Sequence, residues 1–386
     1  MSRAQTTFCL LLVVLAAPTL HHLLPLTKMH LVSKRFLSVA FVGEKSSGKS
    51  STLGRLLAEL SPQSDFSQIL QEAESAGKGD SKYVWLVDTT QEERESGATS
   101  ALHKISLEGP TKNYLVKDGP GGLSNEALGA VATTDALVLF IDAQNWDTFL
   151  SDNLPSYYTI ILGYRIKQFI VVVNTFDADE SAFNEIEKSM RNSIKSKLSR
   201  SPDQKFVAIN SKTGENIVTK SAADQGLSWY KGETLIETLE SLSQPLSPPE
   251  RPLRAVVDAV ESKPQVGTSI GVVSVYGQLL ADNSILACPS LNTGSIAEID
   301  GLGRVEAGFY GNAILRKFSI KDVQPGVVIS TEINDPCKTV KQAEVYLDLN
   351  GALSSLERED EITLHIHNAV YPVTVETIFQ IVDRRS

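Results

Sequence analysis

The chain has 386 residues, enough for two or three domains, and 42% hydrophobic residues, enough for real cores. Its net charge of −10 and pI near 5.2 weigh against broad binding to a nucleic-acid phosphate backbone. Cys9, Cys288 and Cys337 lie far apart without zinc or disulfide spacing, which fits a reducing compartment.

Residues 1–35 stand apart. Phe8 to Ala17 is a short apolar run behind Arg3 that closes on Ala16-Ala17-Pro18, the pattern of a signal peptide. The absence of acidic residues before Glu44 equally suits an organelle transit peptide, and Met29 offers a later start. A nucleotide switch would find little ligand outside the cell, which favours a cytoplasmic site of action.

Phe36 to Val42 reads as a buried strand. It runs into Gly43-Glu44-Lys45-Ser46-Ser47-Gly48-Lys49-Ser50, which fits the phosphate-loop pattern G-x-x-x-x-G-K-[ST], and Ser51 follows. Leu53, Leu56, Leu57 and Leu60 then mark one face of a helix. Strand, glycine loop and helix together aim backbone N–H groups at phosphate oxygens. Lys49 is placed to reach the β- and γ-phosphates, and the Ser50 hydroxyl to ligate Mg²⁺.

Further strands are expected at Asn113–Lys117, Ala136–Ile141, Phe169–Val173 and Phe206–Ile209, with a charged helix between the last two at Glu185–Leu198. Near-continuous apolar strands separated by helices predict a parallel, doubly wound sheet. Ligands bind such sheets beyond the carboxyl ends of the strands, and there the sequence places Asp118, Asn174, Asp177 and Ser211. The Pro- and Ser-rich stretch 243–252 reads as a linker. Strands at Leu253–Val260 and Ile270–Val275, broken by glycine turns, predict an antiparallel barrel. Strand-like runs at Ala343–Leu349, Ile362–Ile366 and Thr374–Val382 follow, too few for an independent barrel. His365 and His367, alternating along one of these runs, read as exposed strand positions rather than metal ligands.

Asp118-Gly119-Pro120-Gly121 matches D-x-x-G, in which the Asp holds Mg²⁺ through water and the Gly121 N–H senses the γ-phosphate. Asn174-Thr175-Phe176-Asp177 stands where a guanine-reading N-K-x-D would stand. A carboxylate at Asp177 accepts from guanine N1–H and the exocyclic amine, and Asn174 can tie this loop to the phosphate loop. An Asx turn closing the strand would use the same residues. Thr175 replaces the lysine whose methylene stem covers the purine, a loss of roughly 1–2 kcal/mol of apolar contact. Asn210-Ser211-Lys212 suits the loop that closes over the base.

These segments, together with Lys82-Tyr83-Val84-Trp85-Leu86-Val87-Asp88, Glu93-Arg94-Glu95-Ser96-Gly97-Ala98-Thr99 and Trp229-Tyr230-Lys231-Gly232, resemble eukaryotic elongation factor 1-alpha and the related release-factor and ribosome-rescue GTPases. The resemblance implies a P-loop GTPase domain at 36–242, the linker at 243–252, a β-barrel domain at 253–334 and a partial second barrel at 335–386. It further implies GTP/GDP and Mg²⁺ as ligands, Ser50, Thr99 and Asp118 around the metal, and ribosomal or translation partners. The family's switch reads D-A-P-G-H, whereas this chain has Gly122 in place of the water-positioning histidine, so no catalytic residue is assigned. His103 could substitute for it, or be an exposed strand residue. The acidic charge and short third domain weaken the case for tRNA. Two functions follow: a translational GTPase with weak hydrolysis, or a catalytically silent GTP-binding adaptor in ribosome surveillance or mRNA decay.

Overall fold

The computed structural model describes residues 36–61, 64–175, 180–197, 203–243, 251–263, 267–300, 303–333, 335–345 and 356–379. The expectations for residues 1–35, for Asp177 and for most of the linker lie outside them. The first part alternates strands and helices: β1 (Phe36–Gly43), α1 (Lys49–Leu60), α2 (Ser67–Ser75), α3 (Gln91–Ser96), β2 (His103–Glu108), β3 (Asn113–Asp118), α4 (Asn125–Ala132), β4 (Ala136–Asp142), α5 (Trp146–Thr148), α6 (Leu154–Gly163), β5 (Gln168–Asn174), α7 (Glu180–Lys197), β6 (Asp203–Ile209) and α8 (Leu235–Glu240). The strands form one six-stranded sheet in the order β2-β3-β1-β4-β5-β6. All neighbours pair in parallel except β2 and β3, which are antiparallel.

The run Leu37-Ser38-Val39-Ala40-Phe41-Val42 is apolar on both sides because both sides are covered. Ala40 and Val42 join the cluster under α6 and α7, while Leu37, Val39 and Phe41 join the cluster under α1 and α8. Burying branched side chains on both faces contributes roughly 1.5–3 kcal/mol per residue. β1 lies centrally, and the chain order reverses around it, which opens a crevice at its carboxyl end.

The second part begins with β7 (Arg254–Lys263) and β8 (Gly267–Tyr276), then β9 (Leu279–Leu280), β10 (Ser284–Cys288), β11 (Asn292–Ile299), β12 (Arg304–Val305), β13 (Tyr310–Arg316) and β14 (Val328–Thr331). Six of these close an antiparallel barrel in the order β10-β11-β13-β8-β7-β14. Val257, Ile270, Ile285, Ile296 and Leu315 fill its interior. A bulge in β7 sets Asp258 apart, since Val257 pairs with Val272 and Ala259 with Gly271. β15 (Glu361–Ile366) and β16 (Ala369–Thr374) make a separate hairpin.

Three sequence expectations are corrected. Cys288 and Cys337 form a disulfide across 49 residues. Pairing of β10 with β14 puts Cys288 opposite Val328, and the chain beyond β14 folds back so that the Cys337 N–H donates to Ser330 Oγ. Spacing along the chain carries no trace of that closure. His367 sits in the β15–β16 turn with φ 53°, and both it and His365 are half-buried rather than exposed. Residues 343–345 and 375–379 are irregular, and the hairpin's second strand is Ala369–Thr374 instead. Pro372 disguised that strand, because a residue without an N–H is rare inside a sheet. Among the described residues no helix is long and apolar enough to cross a membrane.

Candidate functional site

The residues expected to hold phosphate lie at the carboxyl end of β1. Gly43 and Gly48 have φ of 144° and 95°, which bends the loop back before α1 begins. No acidic residue of α1 itself occupies its first turn, and its N-terminal dipole faces the loop. Lys49, only 6% exposed, folds over the loop and donates to the carbonyls of Gly43 at 3.0 Å and Glu44 at 2.8 Å. Burial lowers its pKa, opposed by the charges of Asp118 and Glu44. Lys45 and Ser46 are exposed at the loop's tip. Glu44 accepts from Tyr157 Oη at 3.2 Å. The Ser47 hydroxyl is buried and has no partner, a donor left for a ligand.

Ser50, Thr99 and Asp118 converge from three segments. Ser50 Oγ donates to Asp118 Oδ2 at 2.6 Å, Thr99 Oγ1 donates to Asp88 Oδ1 at 3.1 Å, and the two hydroxyl oxygens lie 2.9 Å apart. The two hydroxyls are hydrogen-bonded to each other, with either able to donate, so all three side chains form one linked set of oxygens. Asp118 Oδ1 is also buried without a partner. Burial raises the Asp118 pKa to about 6, against the pull of Ser50 and Lys49. A set of hard oxygens with unspent lone pairs and a buried carboxylate suits Mg²⁺. Ser51 follows in the first turn of α1, partly buried.

Gly121 approaches the phosphate loop so closely that a Cβ there would lie 2.5 Å from Lys45 Cα. The next N–H, that of Gly122, donates to the Gly43 carbonyl at 3.1 Å. Gly122 has φ 83°, and a Cβ added to it would meet nothing within 4 Å.

Asn174, at the end of β5, bridges loops. Its Nδ2 donates to Ser47 O at 3.1 Å and Ser211 Oγ at 2.9 Å, and its Oδ1 accepts from the Ser211 N–H at 3.0 Å. Gly48 permits this, since a Cβ there would collide with Asn174 Nδ2 at 2.2 Å. Thr175 is buried and donates to Ile209 O at 3.1 Å. The Lys212 N–H donates to Asn210 Oδ1 at 3.0 Å, and Arg55 Nε holds the Ser211 carbonyl at 2.9 Å. Arg55 in turn stacks on Tyr83, 4.2 Å from the ring centroid.

A further cluster was not visible as a site in the sequence. Thr90 caps α3 by accepting from the Glu93 N–H at 3.3 Å, and its hydroxyl donates to Glu93 Oε2 at 2.9 Å. Glu93 Oε1 takes the N–H groups of Ser100 at 2.9 Å and Ala101 at 3.2 Å, and His103 Nε2 at 3.0 Å. Burial pushes the Glu93 carboxyl up, but the bonds from Ser100, His103 and Thr90 outweigh it and hold it at about 2. Asp88, Glu93 and His103 lie within reach of one cation, yet Glu93 Oε1 is already saturated by donors. The cluster therefore pins residues 99–103, which delivers Thr99 to Ser50. His103 is largely buried rather than exposed, and its Nε2 is held by Glu93. The capping pattern Thr90-x-x-Glu93 was the one available signal.

Comparison with known proteins places this geometry. A model of the elongation factor Tu GTP binding domain matches residues 34–262. Elongation factor 1-alpha of Nanoarchaeum equitans is 27% identical over 365 residues, covering 89% of this chain and 82% of that protein. The elongation factor 1 alpha-like protein of Schizosaccharomyces pombe is 28% identical over 366 residues, covering 89% of this chain and 61% of that protein. Among solved structures, the S. cerevisiae Ski7 GTPase-like domain bound to GTP aligns with a TM-score of 0.68 at 17% identity, covering 91% of this chain and 87% of that one.

Proposed function

This chain belongs to the elongation factor Tu GTP-binding family, of the elongation factor 1-alpha type, and we propose from that premise that it binds GTP and GDP with Mg²⁺, acts in translation, and hydrolyses GTP slowly. Gly43 to Ser51 cradle the phosphates. Ser50, Thr99 and Asp118 hold the metal, which when bound neutralises phosphate charge. Asn174 ties the base loop to the phosphate loop, while Asp177 selects guanine and Ser211 and Lys212 close over the base. The observation that carries the reading is the Ser50–Thr99–Asp118 convergence: three segments far apart in the chain bring two hydroxyls and a buried carboxylate together beside the phosphate loop.

One observation favours a second reading, a GTP-binding adaptor without turnover in ribosome surveillance or mRNA decay. Gly122 offers no side chain to orient water, the space beside it is open, and His103 is engaged by Glu93. Partners are the ribosome or translation and surveillance proteins, and the site of action is the cytoplasm. Measuring GTP binding and hydrolysis with and without ribosomes separates the two. Tight binding with slow, ribosome-stimulated turnover supports the first, and binding with no turnover in either condition supports the second. Failure to bind GTP overturns both.

A further inference from the structure

Lys117 immediately precedes Asp118 in β3 and is fully buried, and β2 places Lys104 directly opposite it in register. Like charges facing each other across a ladder repel, and a buried ammonium without a counter-charge is strongly unfavourable. The ion-pair partner of both lysines comes from the barrel. The bulge in β7 projects Asp258 so that Oδ1 lies 3.2 Å from Lys117 Nζ and Oδ2 lies 2.9 Å from Lys104 Nζ. Oδ1 also accepts from Thr133 Oγ1 at 2.9 Å. Thr133 is the C-cap of α4, and Lys117 Nζ donates to its carbonyl at 3.0 Å and its hydroxyl at 2.5 Å. The β15–β16 turn completes the arrangement: Asn368 Nδ2 donates to Val257 O at 3.1 Å and packs beside Gly129 of α4.

Lys117 and Thr133 bracket the stretch that holds Asp118, Gly121 and Gly122. One carboxylate oxygen from the barrel therefore grips both ends of it. We propose that Asp258 is a positioning residue, bracing residues 118–132 through Lys117 and Thr133 so that the fit of this loop to the nucleotide depends on a docked barrel. The coupling to nucleotide rests on the reading given under Proposed function, whereas the brace itself does not.

The test uses Asp258→Asn in the full chain. Asparagine keeps the shape and can still accept from Thr133, but removes the ion-pair partner of both lysines, leaving Lys117 only the weaker field of Asp135. Hydrogen exchange in the nucleotide-free protein should accelerate at least about tenfold in residues 119–131, with β4 and β5 unchanged. Release of a fluorescent GDP analogue should accelerate by a similar factor. The paired variant Lys117→Met/Asp258→Asn removes the buried unpaired charge. It should recover the melting temperature while keeping fast exchange in 119–131, which a purely structural role would not do. Exchange and release within twofold of the unmodified chain in Asp258→Asn would overturn the brace, as would their full recovery alongside stability in the paired variant. If the unmodified chain binds no analogue, the nucleotide reading fails and the exchange comparison alone decides the brace.

Discussion

Glu93→Gln tests how the segment carrying Thr99 is held. The substitution is nearly isosteric and mimics the protonated carboxyl. The amide oxygen of the variant can still accept from the Ser100 N–H, but the bonds to Ser100, Ala101 and His103 lose their charge assistance. The magnitude follows from linkage. The carboxyl sits at about 2 in the folded protein against an ordinary 4.5. At ~1.4 kcal/mol per pKa step, that gap amounts to about 3 kcal/mol at neutral pH. Because the folded value is depressed, this stability is fully present above pH 4.5 and is lost as pH falls from there towards 2. Urea unfolding followed by tryptophan fluorescence should report a loss of about 2–3 kcal/mol at pH 7, narrowing below about pH 4.5 to less than half at about pH 3. Amides of residues 98–103 should exchange faster in the variant. A loss under about 1 kcal/mol at pH 7, or one that stays constant through the acid range, would refute the electrostatic hold on this segment.

Other changes probe the remaining parts of the site. Asn174→Ala removes the bonds to Ser47 and Ser211, and calorimetric titration should show guanine nucleotide affinity falling at least about tenfold; unchanged affinity would count against the loop-bridging role. Gly54→Ala should destabilise the chain although it gains ~1 kcal/mol of helix propensity, because the new Cβ would lie 1.9 Å from the Tyr83 carbonyl oxygen. A raised melting temperature would contradict that packing. Gly122→His enters open space at a cost of roughly 1–2 kcal/mol for the left-handed backbone. It should raise ribosome-stimulated GTP hydrolysis, and an unchanged rate would show that the missing side chain is not the limiting defect.

The GTPase sheet and the nucleotide loops were legible because their signals are local. The run Phe36 to Val42, the glycine loop and the leucines of α1 each lie within one element, where period and composition speak directly. The parallel, doubly wound pattern gave the class of sheet, but not its order nor the antiparallel edge strand β2. What stayed hidden depends on segments far apart in the chain. Cys288 meets Cys337 only because the barrel closes through β10 and β14. Asp258 reads as a polar residue in an apolar strand until the bulge turns it toward Lys117. Glu93 and His103 belong to strings that the family resemblance quoted or passed over, but their contact exists only once residues 97–102 fold back. Short range carries binary pattern and turn chemistry; charge pairing across domains is decided by tertiary structure.

The central claim is a guanine-nucleotide site. Its most direct test is titration of the purified full chain with GTP, GDP and ATP in the presence of Mg²⁺. GTP and GDP should bind, with ATP weaker by at least about a hundredfold, because the carboxylate proposed to read the base, Asp177, would find no N1–H or 2-amino donor on adenine. Equal affinity for ATP and GTP, or no binding of either, would contradict it.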